Sequence, residues 1–280
     1  MGVDAAADAF RLVAVEESCA TVAIEIPIVP GEVGRVEAAC RAFHAAERKG
    51  ISGVRECVAI APTASMVTAV LELPPRSSGA PIESLAAAEL MRGRDGAGLE
   101  VALFPIREQD AGPVEYFAAG ANRDEITALA GDIASCGVEV VAVDAPACAL
   151  GRACQSANAM VIALERESVA FHVVHEHRPL LSRSVSLIDR AAPSKQIVAE
   201  VDRCAAYLAT YRAESAIDEI VLVGARGDQQ QVIETITGEF DVGVRVWRET
   251  LQRNGGGDVG PAFAGAYGAA TWREARGAAA

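Results

Sequence analysis

Apolar positions along the chain switch repeatedly between a period of two and one of three to four, which predicts alternating strands and helices. Arg11 to Val15 is a short apolar run, Glu16-Glu17-Ser18 a turn, and Thr21 to Ile26 the return strand, which Pro30-Gly31 ends. Over Val33 to Lys49 the residues Val33, Val36, Ala39, Cys40 and Phe43 share one helical face, and Lys49-Gly50 supplies a stop. Cys57 to Ala61 reads as a short buried strand. A smaller unit follows: strand Met66 to Leu73, broken by Pro74-Pro75; helix Ile82 to Met91; a Gly-rich turn over Arg92 to Gly98; and strands Leu99 to Phe104 and Val114 to Ala118. Asn122 fits as the N-cap of a helix over Arg123 to Ser135. Gly137 ends that helix, Val138 to Val143 is a strand, and Pro146 opens a helix reaching about Ala157. Met160 to Ser184 then reads as strand, turn, strand, turn, strand. The remainder gives a long helix (Lys195 to Ala213), a strand (Ile217 to Val223), a helix (Gln229 to Phe240) and a strand (Val242 to Val246). A turn at Asn254 to Gly257 precedes a closing helix over Pro261 to Arg273. Its Ala264, Gly265, Ala266 and Gly268 would let backbone approach a sheet closely.

Leu12 to Val22 (LVAVEESCATV) resembles Val161 to Phe171 (VIALERESVAF): strand, acidic turn, strand. Each segment opens a stretch in which strands alternate with helices, so two related α/β halves are expected. The predicted division is 1–64 plus 120–157 for the first half, 65–119 for an inserted small subdomain, and 158–280 for the second half.

Composition narrows the function classes. With 280 residues, 51% hydrophobic and 22% charged, the chain can bury a substantial core. A formal net charge of -13 argues against a nucleic-acid backbone or an anionic lipid surface as partner. No run of about 20 apolar residues is present to span a membrane. MGVDAAADAFRLV lacks a basic region followed by an apolar one, so no secretory leader is expected. The seven cysteines form no CxxC pair and are expected to be reduced, in a cytoplasmic protein.

Candidate chemistry is sparse. His175 and His177 share a strand face but His172 points the other way, so no metal site is expected among them and Glu176. Gly31-x-x-Gly34 and Gly255-Gly256-Gly257 lack the following Lys-Ser/Thr of a phosphate loop and read as turns. Ser182 and Ser184 near His177 lack a GxSxG elbow. Asp144 reads as a cap for the helix opened by Pro146. No catalytic residue is expected.

Four segments, in this order and spacing, resemble the PilM-type assembly proteins of type IV pilus systems, relatives of the division protein FtsA and of actin. They are Val67 to Leu73 with the following helix carrying Glu89; Gly137 to Leu150; Leu180 to Ser184 after the Glu176-His177 turn; and Ile220 to Gly224 with Ala264 to Ala270. The resemblance implies an α/β, actin-like (RNase H-like) fold of two halves, with a small inserted strand-helix-strand-strand subdomain. It also implies an ATP and Mg²⁺ site built from loops that carry an acidic residue and a glycine. Those places align with Ala14 and Glu16 in the first loop and with Ala163 and Glu165 in the second. The paired glycines of the third loop align with Gly224 and Ala225. Glutamate in place of glycine puts bulk and charge where backbone N–H groups should meet phosphate. Two like charges 4 Å apart repel by ~4 kcal/mol at an effective dielectric of 20. Losing the acidic residue removes the carboxylate that organises Mg²⁺. After LLSRSVSL, Ile188-Asp189 replaces the family's glycine pair. Arg190 to Ser194 leads straight into the long helix, so the nucleotide-covering subdomain is expected to be reduced or missing. The implied function is a cytoplasmic scaffold of a type IV pilus or type II secretion-like machine, peripheral to the inner membrane. It would hold the cytoplasmic tail of an inner-membrane assembly protein in a groove between the first and inserted subdomains, near Met66 to Leu73 and Ile82 to Met91, without ATP hydrolysis. Self-association is left open. The alternative is an ATP- and Mg²⁺-binding switch of the same fold. A sugar or acyl kinase relative would need a catalytic Asp in a Gly-flanked loop, which is not found.

Overall fold

The computed structural model describes residues 1–51, 53, 55–63, 66–92, 98–107, 112–188, 193–211, 217–252 and 257–272. The first-half strands are β1 (Gly2–Ala5), β2 (Ala9–Glu16), β3 (Cys19–Pro27) and β4 (Glu56–Ile60), with helix α1 (Arg35–Arg48) between the last two. The inserted unit holds β5 (Val67–Leu73), α2 (Ile82–Leu90), β6 (Leu99–Arg107) and β7 (Val114–Asn122). Helix α3 (Arg123–Ala134), strand β8 (Glu139–Asp144) and helix α4 (Pro146–Cys154) follow. The second half carries β9 (Ala159–Leu164), β10 (Ser168–His175), β11 (Arg178–Ser186), α5 (Ser194–Tyr211), β12 (Glu219–Val223), α6 (Gln230–Glu239) and β13 (Gly243–Val246). A short hairpin, β14 (Glu249–Thr250) with β15 (Asp258–Val259), precedes a 3-10 turn at Pro261–Phe263 and α7 (Ala264–Ala270).

The two large sheets have one topology. Their orders are β3-β2-β1-β4-β8 and β11-β10-β9-β12-β13. In each, three antiparallel strands are joined through the third-listed strand to two parallel ones. Finer marks repeat as well. The β2–β3 pairing shifts register between Ala14 and Val15, just before a two-residue turn at Glu17-Ser18 with φ of 48° and 68°. The β10–β11 pairing shifts between Val173 and Val174, just before Glu176-His177 with φ of 51° and 62°. Two successive positive-φ residues make the hairpin turn that matches strand twist. So β2 corresponds to β10, and β1 to β9. The internal repeat is real but lies one strand away from where the sequence match put it, because β1 was missed.

Five layers result. Helices α1 and α3 cover one face of the first sheet through Phe43, Leu129 and Ile133. Helices α5 and α6 cover the far face of the second through Ile197, Val201, Val232 and Ile236. Between the sheets lie α4 and α7. The small residues of α7 act as expected: a Cβ on Gly2 of β1 would stand 2.0 Å from Ala266 O, and one on Gly268 would stand 1.8 Å from Ala149 O of α4. The inserted sheet, ordered β5-β7-β6, packs α2 on one face through Ile82, Ala86 and Leu90. Its other face joins the second-half core through Ile106, Phe117 and Ala119. Arg178 donates to Ile106 O at 2.6 Å, and Thr68 to Ser182 O at 2.7 Å, across that junction.

One composition reading is corrected. Cys40 on α1 and Cys136 just past α3 form a disulfide, with Cα atoms 5.0 Å apart. The two helices pack side by side on one sheet face, an adjacency that a sequence separation of 96 conceals. The other five are free thiols as expected; Cys57, Cys148, Cys154 and Cys204 are buried, and Cys19 is half-buried. Among the described residues, no helix is long and apolar enough to cross a membrane. Asp189, Arg190, Asn254, Gly255, Gly256 and Arg273 lie outside the described residues.

Candidate functional site

Two matching turns, one from each half, face each other, and a third turn closes beside them. The first joins β1 to β2. Asp4 is opposite Arg11 and Ala5 opposite Phe10 in that antiparallel pair. The second joins β9 to β10, with Ala163 opposite Ala170 and Leu164 opposite Val169. The shared topology therefore matches Asp4 with Ala163, and Ala6 with Glu165. The third turn follows β12 at Gly224 to Gly227.

The six residues singled out in the sequence divide accordingly. Ala163, Glu165, Gly224 and Ala225 come together. Gly224 takes φ 89°, and a Cβ there would lie 2.7 Å from Glu165 Oε1 and 2.5 Å from Leu164 O. Ala14 and Glu16 do not join them. Glu16 pairs with Cys19 beside the Glu17-Ser18 turn, at the far end of β2 from Asp4, an eight-residue strand about 23 Å long. Its topological counterpart is His175. The first-half loop of the cleft is instead Asp4-Ala5-Ala6, so that half keeps an acidic residue and replaces the glycine with alanine.

The electrostatics of the cleft follow from burial. Arg11 is 1% exposed. Its Nε donates to Glu25 Oε2 at 2.6 Å and its Nη2 to Asp8 Oδ1 at 3.3 Å, while Nη1 is buried without a hydrogen-bond partner. Burial works against its charge, but Asp4, Glu25, Asp8 and Glu165 hold it firmly protonated. Burial raises the Asp4 carboxyl, with Arg11 opposing. Burial also pushes Glu165 up to about 7; Asp4 and Asp8 add to the rise, and Arg11 and the Ala225 N–H oppose it. Arg166 crosses from the second half, its Nε 3.3 Å from Asp8 Oδ2.

Three of the four N–H groups of the third turn are used internally. Gly224 donates to Pro261 O (2.9 Å), Arg226 to Leu164 O (2.9 Å) and Gly227 to Gly224 O (3.1 Å). The Ala225 N–H favours the charged form of the Glu165 carboxyl beside it. Backbone N–H groups in such a turn are what would receive a phosphate oxygen, and three of the four are already taken. With the remaining one beside the Glu165 carboxyl, the turn is a poor fit for the phosphates of ATP.

Other sequence candidates are placed plainly. Asp144 does not cap α4, whose N-cap is Ala145 without a side-chain bond. It is buried and ion-paired to Arg152 on α4; burial raises its carboxyl and Arg152 opposes. His172 is buried, with Nδ1 2.9 Å from Ser182 Oγ on the adjacent strand, and burial pushes it down to about 4. His177 sits on the β10–β11 turn. No group of three or more His, Cys, Asp or Glu arranged for a metal occurs among the described residues. The cross-cleft residues Asp4, Asp8, Arg11 and Arg166 were missed. Counting three strands at the head of the second half and demanding three in the first would have found Asp4.

A duplicated sheet with paired helices between the halves and facing turns at the cleft is the actin-like ATPase fold. The connection from β11 to β12 carries α5 alone among the described elements. The form is PilM-like. A chain of a PilM-PilN type IV pilus biogenesis complex superposes with a TM-score of 0.71 at 16% identity, covering 96% of each chain. A Bacteroides thetaiotaomicron protein with an actin-like ATPase fold and unknown function gives 0.50 at 12%, covering 87% of this chain and 88% of that one. The cytoplasmic domain of EpsL, an inner membrane component of the Vibrio cholerae type II secretion system, gives 0.51 at 13%, covering 78% and 79%. No family model and no curated protein matches the sequence.

Proposed function

We propose that this chain is an actin-like scaffold of a pilus or type II secretion-like machine, binding the cytoplasmic tail of an inner-membrane assembly protein without turning over ATP. The observation that carries this reading is the likeness to the PilM-PilN chain over 96% of both molecules. The EpsL likeness supports the same kind of machine. The 224–227 turn, with three of its four N–H groups bonded internally and Glu165 over Gly224, supports the lack of nucleotide turnover. The protein would then lie in the cytoplasm and reach the membrane only through its partner.

The seat proposed for the tail is the groove beside β5 and α2. Among the described residues β5 pairs with β7 alone and so is an edge strand of the inserted sheet, the kind of strand to which an extended peptide can add. A net charge of -13 favours a basic tail. The test is affinity capture from detergent-solubilised membranes of the native cell, with cross-linked peptides mapped by mass spectrometry. Cross-links from an assembly protein's tail to residues 66–91 are expected. Retention of no membrane assembly protein would overturn the reading.

A second reading, an ATP- and Mg²⁺-dependent switch, has one observation in its favour. Asp4 keeps a carboxylate at the first-half turn, where it could organise a cation.

A further inference from the structure

Glu165 does more than occupy a glycine's place. Its half-buried carboxyl folds back over Gly224, with Oε1 2.7 Å from where a Cβ would stand on that residue, and the neighbouring Ala225 N–H favours its charged form. Only a glycine at 224 leaves room for it, and only a side chain of about glutamate's length can reach back over the turn. Ala6, its counterpart in the first half, cannot. The groups facing Glu165 are Asp4 and Asp8 from the β1–β2 turn, Arg11 from β2, and the Ala225 N–H. Beside it, Arg166 reaches Asp8 in the other half. Two consecutive residues of one turn therefore act in opposite directions, Glu165 filling the third turn and Arg166 holding the first.

We propose that Glu165 is an intramolecular ligand: its carboxyl occupies the anion seat of the 224–227 turn and, with the Arg166–Asp8 pair, clasps the two halves shut with no nucleotide between them. This rests on the actin-like reading of the cleft given above. The contact is autoinhibitory toward phosphate, since an incoming anion must displace a tethered carboxyl from the same turn. The effective concentration of a tethered group exceeds that of any free anion.

The test is hydrogen exchange by mass spectrometry on the full chain, without nucleotide or partner. Wild type is compared with Glu165→Ala, Glu165→Gln and Arg166→Ala. Arg166 has a 73% exposed side chain, so its truncation leaves the core untouched. Glu165→Ala is expected to speed exchange of the peptide covering 224–227 at least tenfold. Glu165→Gln, whose amide oxygen still accepts, should stay within threefold of wild type. Arg166→Ala should speed exchange across the β1–β2 turn. If Glu165→Ala folds and exchanges at the wild-type rate, the proposal is overturned. Should it not fold, unchanged exchange in Arg166→Ala at residues 5–9 overturns the clasp. A capture experiment that retained no membrane protein would leave these outcomes untouched, so the two readings fail separately.

Discussion

Adding one methyl group at Gly268 should destabilise the molecule more than its size suggests. The Cβ of Gly268→Ala would stand 1.8 Å from Ala149 O, 2.5 Å from Ala149 C and 3.1 Å from Ala149 Cα. All three atoms are backbone of α4, so no side chain can rotate away. Restoring ordinary contact means moving α7 by more than 1 Å, roughly, from a helix that also packs on β1 and β4. Overpacking of this kind costs about 3 kcal/mol, at the upper end of the usual range because the obstacle is rigid. For a chain of this size that is a fall of ~6–10 °C in Tm. The control is Gly131→Ala, in the exposed interior of α3, where an added Cβ meets nothing within 4 Å. There the methyl only restricts the unfolded chain and should raise stability by ~0.5–1 kcal/mol. Thermal unfolding followed by circular dichroism compares the pair. A Gly268→Ala protein melting within about 1 °C of wild type, on the same scale, would refute the close-packed inner layer.

Further outcomes follow from the charges, the disulfide and one cap. Glu165 titrates at about 7 in the folded chain, against ~4.3 when unfolded. The native state therefore holds a proton that the unfolded state releases, and stability falls as pH rises through that window, by on the order of 2 kcal/mol. The raised carboxyls of Asp4 and Asp144 add in the same direction. Melts at pH 5 and pH 8 should show the loss and Glu165→Gln should shrink it; a Tm that climbs with pH contradicts the burial argument. Reduction of Cys40–Cys136, which closes a loop of 96 positions, should cost ~2–4 kcal/mol, read by denaturant unfolding with and without reductant. Native-state alkylation should spare Cys57 and Cys154, whose thiols burial pushes up to about 12, and labelling of both at once would argue against that core. Asn122 accepts the N–H groups of Asp124 and Glu125 at the head of α3, so Asn122→Ala should cost ~1 kcal/mol in the same unfolding assay.

What could be read from the sequence was local. The α3 cap, the amphipathic faces of α1 and α5, and the small residues of α7 each announce themselves within a few positions. Strand β1 does not. Gly2-Val3-Asp4-Ala5 has little intrinsic strand preference, and it is extended because β2 and β4 pair with it on both sides. Missing it displaced the repeat by a strand and sent the first-half loop to Glu16 instead of Asp4-Ala5-Ala6. The second-half loop was legible because β9 is a continuous buried apolar strand, MVIAL between Ala159 and Glu165. The contacts that define the cleft join residues far apart in sequence, Arg166 with Asp8 and Glu165 with Gly224. Side-chain chemistry at such distances becomes visible only when the two halves are brought together. The same holds for Cys40 and Cys136.

Whether the cleft takes nucleotide separates a scaffold from a nucleotide switch most directly. Isothermal titration of the intact chain with ATP and Mg²⁺ measures it, alongside a urea-unfolded blank. No saturable heat is expected up to millimolar ATP, because three of the four N–H groups of residues 224–227 are already paired and Glu165 covers Gly224. A saturable, Mg²⁺-dependent isotherm with a micromolar Kd would contradict it and favour the nucleotide switch.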